Sequence, residues 1–275
     1  MISGIIEWNP HALEASLWLS LFAAPLGCFL IFRKLSFFGD ALSHSSLTGV
    51  AVAYLSAGEN PIFMSLGALG SVVATAVLLH ILEKRSKLSS DLAMTASYSG
   101  MFALGVLLLS SSDVDLEHIL FGDIWKITER MVWFLRVWTV IIFTLFVYFW
   151  RPFWASVLDS RFARTLGYNI DWIDFLFLII TSISIVGMIQ SVGIVLVAAY
   201  LVLPPAAALP WARSLLNLVL GSIFFALVGS FVGVYCSRKF HLSAGPSIAV
   251  CAFLLFLGSQ IISPLFRRNA HPLSN

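Results

Sequence analysis

Apolar residues run through this chain in long blocks, cut by short polar or charged stretches. The blocks fall roughly at Leu13–Phe32, Ala41–Ser56, Ile62–Leu82, Leu92–Leu109, Val132–Trp150, Phe175–Ile189, Ile194–Leu209, Leu215–Tyr235 and Ser247–Ile262. A helix needs about 20 mostly apolar residues to cross a bilayer, and several blocks reach that length. The spans of a β-barrel would alternate over about ten residues each, and that alternation is absent. The pattern predicts an all-α, polytopic transmembrane helical bundle of eight or nine spans, forming one domain over residues 1–275.

Composition agrees with the pattern. The chain is 59% hydrophobic and 11% charged, where a soluble domain carries about 25% charged residues. The basic residues then orient the spans. Arg33, Lys34, Lys84, Arg85, Lys87, Arg151, Arg161, Arg164, Arg213, Arg267 and Arg268 fall in loops on one side. Lys126, Arg130, Arg136, Arg238 and Lys239 fall on or near the other. Because the cytoplasmic side gathers Lys and Arg, the amino terminus is expected outside and the carboxyl terminus in the cytoplasm. No Lys or Arg precedes Arg33, so a cleavable signal peptide is not expected. Arg136, one turn or so inside its span, can snorkel outward. Cys28, Cys236 and Cys251 lie in apolar sequence without metal-ligand spacing and read as packing residues.

The breaks between spans carry further expectations. Gly58-Glu59-Asn60-Pro61 reads as an outer turn, and Gln190-Ser191-Val192-Gly193 as a break. Pro204 and Pro205 free carbonyl oxygens near a helix end, which either line a path or serve a kink that helps packing. Asp113, Asp115, Glu117 and His118 sit in a polar stretch expected outside; they either gather cations or form an acidic solvated turn. Residues 158–167 lack a membrane period and read as a short amphipathic helix ended by Gly167.

One polar run opens the second block: Phe38-Gly39-Asp40-Ala41-Leu42-Ser43-His44-Ser45-Ser46-Leu47-Thr48-Gly49. Asp40 and His44 are four apart, so a helix stacks them on one face within reach of one cation. A carboxylate oxygen and an imidazole nitrogen suit zinc, manganese or ferrous iron without choosing among them. Ionisable residues within a span are a functional hypothesis by default. The plainer alternative makes Asp40 a helix cap and His44 a satisfied interfacial histidine. Small residues around them, Ser43 included, leave room for other backbones or a hydrated path.

Missing motifs narrow the chemistry. The chain has no G-x-x-x-x-G-K-[ST] phosphate loop and no H-E-x-x-H, so neither ATP hydrolysis nor zinc proteolysis of that kind is expected of it. An intramembrane metallohydrolase built on Asp40 and His44 would need a third ligand or a base, with His80 and His118 the candidates.

The run Phe38-Gly39-Asp40-x-x-Ser43-His44-x-x-x-x-Gly49-Val50-Ala51 resembles the signature of the membrane permeases of metal-ion ABC importers. Further matches extend the resemblance over most of the chain: Ser97–Gly105, Asp115–Asp123, Asp159–Gly167, the run from Val192-Gly193 to Pro204, and Ser243–Ser247. The resemblance implies a permease without enzymatic activity, in a plasma or bacterial inner membrane, that moves zinc or manganese inward with no permanently bound cofactor. It implies Asp40 and His44 as a transient metal site and Ser43, Ser99 and Pro204 beside the pathway. It also implies that Asp159, Arg161, Ala163, Arg164 and Gly167 dock a separate ATPase subunit. The implied partners are two ABC ATPases, an extracytoplasmic metal-binding protein, a second copy of the chain and the lipid bilayer, and no nucleic acid. Zinc is favoured because the run Pro25–Asp40 is closest to the zinc branch; manganese and iron stay open.

Overall fold

The computed structural model describes residues 9–33, 35, 37–58, 60–85, 89–110, 124–158 and 160–266, and among these there is no strand. The helices are α1 Pro10–Phe32, α2 Phe38–Ala57, α3 Pro61–Arg85, α4 Ser90–Leu109, α5 Glu129–Tyr148, α6 Trp150–Leu158, α7 Ser160–Thr165, α8 Ile170–Val192, α9 Ile194–Ala208, α10 Leu215–Phe240 and α11 Ala244–Phe266. Single 3-10 turns lie at Ile124–Lys126 and Leu209–Trp211. The polar acidic stretch with Asp113, Asp115, Glu117 and His118 lies outside the described residues.

Among the described residues, seven helices are long and apolar enough to cross a membrane: α1, α3, α4, α5, α8, α10 and α11. The other two expected spans also fold as helices. α9 has 15 residues and its apolar stretch is correspondingly short. α2 has 20 residues but opens with Asp40, Ser43, His44, Ser45, Ser46 and Thr48, which lowers its hydropathy. Bulky apolar residues point outward, among them Ile62, Leu107, Trp133 and Ile261. That outward apolar surface is what a hydrocarbon solvent requires. The chain is a polytopic helical membrane protein.

The helices form two compact units. One comprises α1, the part of α5 up to Thr139, and α9, α10 and α11; the other comprises α2, α3, α4, the rest of α5, α6, α7 and α8 up to Gln190.

In the first unit α1 packs on α9 and α10, and α11 packs on both of those. α1 starts cleanly: Pro10 takes the first helical position, and the Asn9 side-chain oxygen accepts the His11 amide at 3.0 Å. The Asn9 amide nitrogen donates to the carbonyls of Trp125 and Ile127 at 3.0 and 2.9 Å. Hydroxyls join the buried faces, as suits helices that gain little from hydrophobic burial in lipid. Ser20 and Ser230 share a hydrogen bond of 2.8 Å, and the Tyr200 hydroxyl reaches Ser230 and donates to the Ala226 carbonyl at 3.2 Å. Cys28 sits buried against Ser222, the packing role expected of it.

Two sequence expectations meet their outcome here. Arg136 bonds to the Glu14 carboxylate on α1, which also accepts from Trp18 Nε1 at 3.4 Å. Pairing lowers the cost of a charge within a span. Pro204 and Pro205 are buried within α9. Pro205 cannot bond to the Leu201 carbonyl four residues back, and Gly27 of α1 fills that place. A Cβ on Gly27 would fall on the Leu201 carbonyl oxygen and within 2.9 Å of the Pro205 ring. At Leu201 the freed carbonyl therefore serves helix packing.

In the second unit α2 packs on α3 and α4. The α2–α3 crossing is glycine on glycine: a Cβ on Gly49 would strike the Gly67 carbonyl, and one on Gly67 the Gly49 carbonyl. Ser71 Oγ then donates to the Ser45 carbonyl at 2.6 Å. Phe153 of α6 is fully buried edge-on to Phe177 of α8, with centroids 5.4 Å apart. The expected break at 190–193 is realised at Gly193, where φ is +87°, a value open to glycine and strained for other residues.

Candidate transport site

The site lies wholly in the second unit, on the first two turns of α2. Asp40 is in the first helical turn, where the exposed amide dipoles favour a negative charge. The residue that caps the helix is Phe37, with no side-chain bond, so Asp40 is not the cap. Its carboxylate turns to His44 instead: Oδ1 lies 3.3 Å from Nε2. Both side chains keep an open edge, His44 being 25% exposed and Asp40 40%. Nδ1 of His44 is buried without a hydrogen-bond partner among the described residues.

The 3.3 Å separation is chemically useful. An ion at about 2.1 Å from each atom would subtend an angle of about 100° at the metal, which both tetrahedral and octahedral ions accept. No group of three or more His, Cys, Asp or Glu surrounds this pair or any other point among the described residues.

The other expected site residues are placed as follows. Ser43 is buried and donates to the Gly39 carbonyl at 2.7 Å, within its own helix. Ser99 is exposed on α4, one residue from Tyr98, whose ring lies near His44. Pro204 is buried in the first unit. His80, the third ligand a hydrolase would need, packs its ring on Phe175 at 5.3 Å.

Of the segment implied to dock an ATPase, Asp159 lies outside the described residues, as does the Arg161 side chain. α7 is nonetheless a real helix with the expected stop. Ala163 is fully buried while Arg164 is exposed. Gly167 takes φ +85° and donates its amide to the Arg164 carbonyl, and the Tyr168 amide bonds to that of Ala163. That is the left-handed helix ending for which glycine is suited.

Sequence reasoning missed the neighbours of His44. Phe102 stands edge-on at 5.0 Å between centroids, and Tyr98 lies at 6.2 Å. The available signal was an aromatic pair at i and i+4 in an otherwise small-residue stretch.

With this geometry in place, comparison with known proteins becomes specific. The model of the ABC 3 transport family matches residues 6–263. The manganese transport system membrane protein MntC of Listeria monocytogenes is 29% identical over 96% of this chain and 94% of its own length. The high-affinity zinc uptake system membrane protein ZnuB of Haemophilus influenzae is 30% identical, over 94% and 96%. A solved structure of PsaBC from Streptococcus pneumoniae in complex with Fab matches with a TM-score of 0.82 at 29% identity, covering 97% of this chain and 96% of that one. The chain therefore belongs to the ABC 3 transport family, as a multi-pass membrane permease subunit of the metal-ion ABC importers.

Proposed function

We propose that this permease moves a divalent first-row transition metal into the cytoplasm, and that the ion passes over Asp40 and His44. The observation that carries the reading is the Asp40 Oδ1–His44 Nε2 pair, 3.3 Å apart and open at one edge, on the first two turns of α2. One carboxylate offsets half of the ion's charge. Imidazole, water and neighbouring oxygens complete its coordination loosely enough for release. Relatives named for manganese transport, more numerous than those named for zinc, support a metal cargo. The donor set is equally shared, since nitrogen and oxygen ligands suit both ions. The lean toward zinc rests on the Pro25–Asp40 run alone.

In the same reading the ATPase subunits dock at residues 159–167, and their closure on ATP rocks the helices against one another. A second copy of the chain and an extracytoplasmic metal-binding protein complete the importer. The test is metal uptake by cells carrying the whole transport system, wild type against Asp40→Ala and His44→Ala, with zinc, manganese and iron in competition. Loss of uptake at normal membrane levels is expected, and the metal whose uptake disappears names the cargo. Undiminished uptake by both variants removes Asp40 and His44 from the path.

A further inference from the structure

The start of α5 carries a cavity of about 450 Å³ lined by Glu129, Arg130, Trp133, Phe134 and Val137. These residues recur at the helical period and share one face of α5. The opposite face holds the buried Val132 and Leu135 and the Arg136 that bonds to Glu14 of α1. α5 is long and apolar enough to cross the membrane. Its first turn therefore stands at headgroup level, and Trp133, Phe134 and Val137 lie progressively deeper. Glu129 and Arg130 are both exposed, and neither has a side-chain hydrogen bond or ion pair among the described residues. Arg130 is also one of the cations expected on the outer side, where Lys and Arg are depleted.

We propose that this cavity seats one phospholipid with a primary ammonium headgroup, of the phosphatidylethanolamine type. The two charges at its mouth are adjacent and of opposite sign, as are the phosphate and ammonium of such a headgroup. The Arg130 guanidinium presents a fork of N–H donors that suits two phosphate oxygens. The Glu129 carboxylate accepts from the ammonium N–H groups. A headgroup with net negative charge and no amine meets that carboxylate with like charge, and a trimethylated choline has no N–H to donate. Below the charges, Trp133 takes the interfacial position usual for its amphipathic ring, and Phe134 and Val137 offer apolar surface to an acyl chain. The volume falls within the range of about 300–1,000 Å³ for small-molecule sites, which suits a headgroup and the upper part of one chain. An annular lipid needs apolar surface alone; the unpartnered Glu129 and Arg130 are what make this position selective. The seated lipid braces α5 from the face opposite Glu14.

The test is native mass spectrometry of the purified permease–ATPase complex, delipidated in detergent and offered phosphatidylethanolamine, phosphatidylcholine or phosphatidylglycerol with identical acyl chains. Thermal midpoints are measured alongside. Wild type is expected to retain phosphatidylethanolamine about fivefold more than either other lipid, the effect of one exposed charge pair, and to gain thermal midpoint most from it. Glu129→Gln is expected to lose that preference while still binding lipid. Arg130→Gln is expected to weaken binding of all three lipids by a similar factor. Lys239→Gln, a charge change outside the cavity, is expected to bind as wild type. Glu129 and Arg130 are exposed, so lipid-free thermal midpoints equal to wild type are expected for both variants. Equal retention of the three lipids by wild type, or wild-type retention and preference in both cavity variants, overturns the proposal and leaves an annular lipid position. A preference for phosphatidylglycerol overturns the amine headgroup.

Discussion

In the proposed reading Asp40 and His44 serve an ion as a pair, so at the scale of the residue the two should fail together. Asp40→Asn keeps the shape of the side chain and removes the charge that offsets half of the ion's. It is expected to abolish uptake at normal membrane abundance, measured with the radioactive ion in cells carrying the complete importer. Gly49 is the other position where one atom decides the outcome. A Cβ there meets the Gly67 carbonyl, which is backbone and cannot swing aside. Gly49→Ala is expected to cost about 1–3 kcal/mol, the range for an overpacked contact. A thermal midpoint equal to wild type would show that α2 and α3 part without cost.

At the scale of the element, the first unit fastens α1 to α5 through Glu14 and Arg136. Removing one partner strands the other charge within a span. Glu14→Gln is therefore expected to lower the thermal midpoint of the purified protein, and the exchanged pair Glu14→Arg with Arg136→Glu to restore part of it. A midpoint in the exchanged pair below that of Glu14→Gln would assign the effect to local packing rather than to charge. The short helix α7 is offered for docking, with Arg164 exposed on a helix whose Ala163 is buried. Charge reversal at Arg161 and Arg164 is expected to reduce co-purification of the ATPase subunit and to uncouple transport. Full co-purification with normal uptake would move the docking surface elsewhere.

At the scale of the whole molecule the distribution of Lys and Arg sets the orientation, and the prediction belongs to the chain rather than to any one helix. A fluorescent protein fused after Asn275 should light up, and alkaline phosphatase fused there should stay inactive, because the first matures in the cytoplasm and the second outside it. The reverse pair of results would turn the bundle over and place Asp40 and His44 near the outer face.

The sequence alone determined that the chain is a helical membrane protein, where its helices break, and which two residues are candidates for metal chemistry. Those follow from local rules: apolar blocks long enough for a bilayer, glycine where φ must be positive, and two ligand-type side chains one turn apart on a helix. Gly167 and Gly193 were legible for that reason, and so was the Asp40–His44 spacing. What lies between distant segments was decided only by the tertiary structure. Arg136 reads as a lone cation in its span until Glu14, 122 residues away, is brought beside it. The proline-freed carbonyl of Leu201 reads equally well as pathway or packing until Gly27 is found against it. His44 reads as the lone i+4 partner of Asp40 until the Tyr98 and Phe102 rings of α4 are brought beside it. The physical reason is the same in each case. Inside a bilayer a polar group takes whatever partner the packed helices bring, and packing is set by which small residues let two backbones meet.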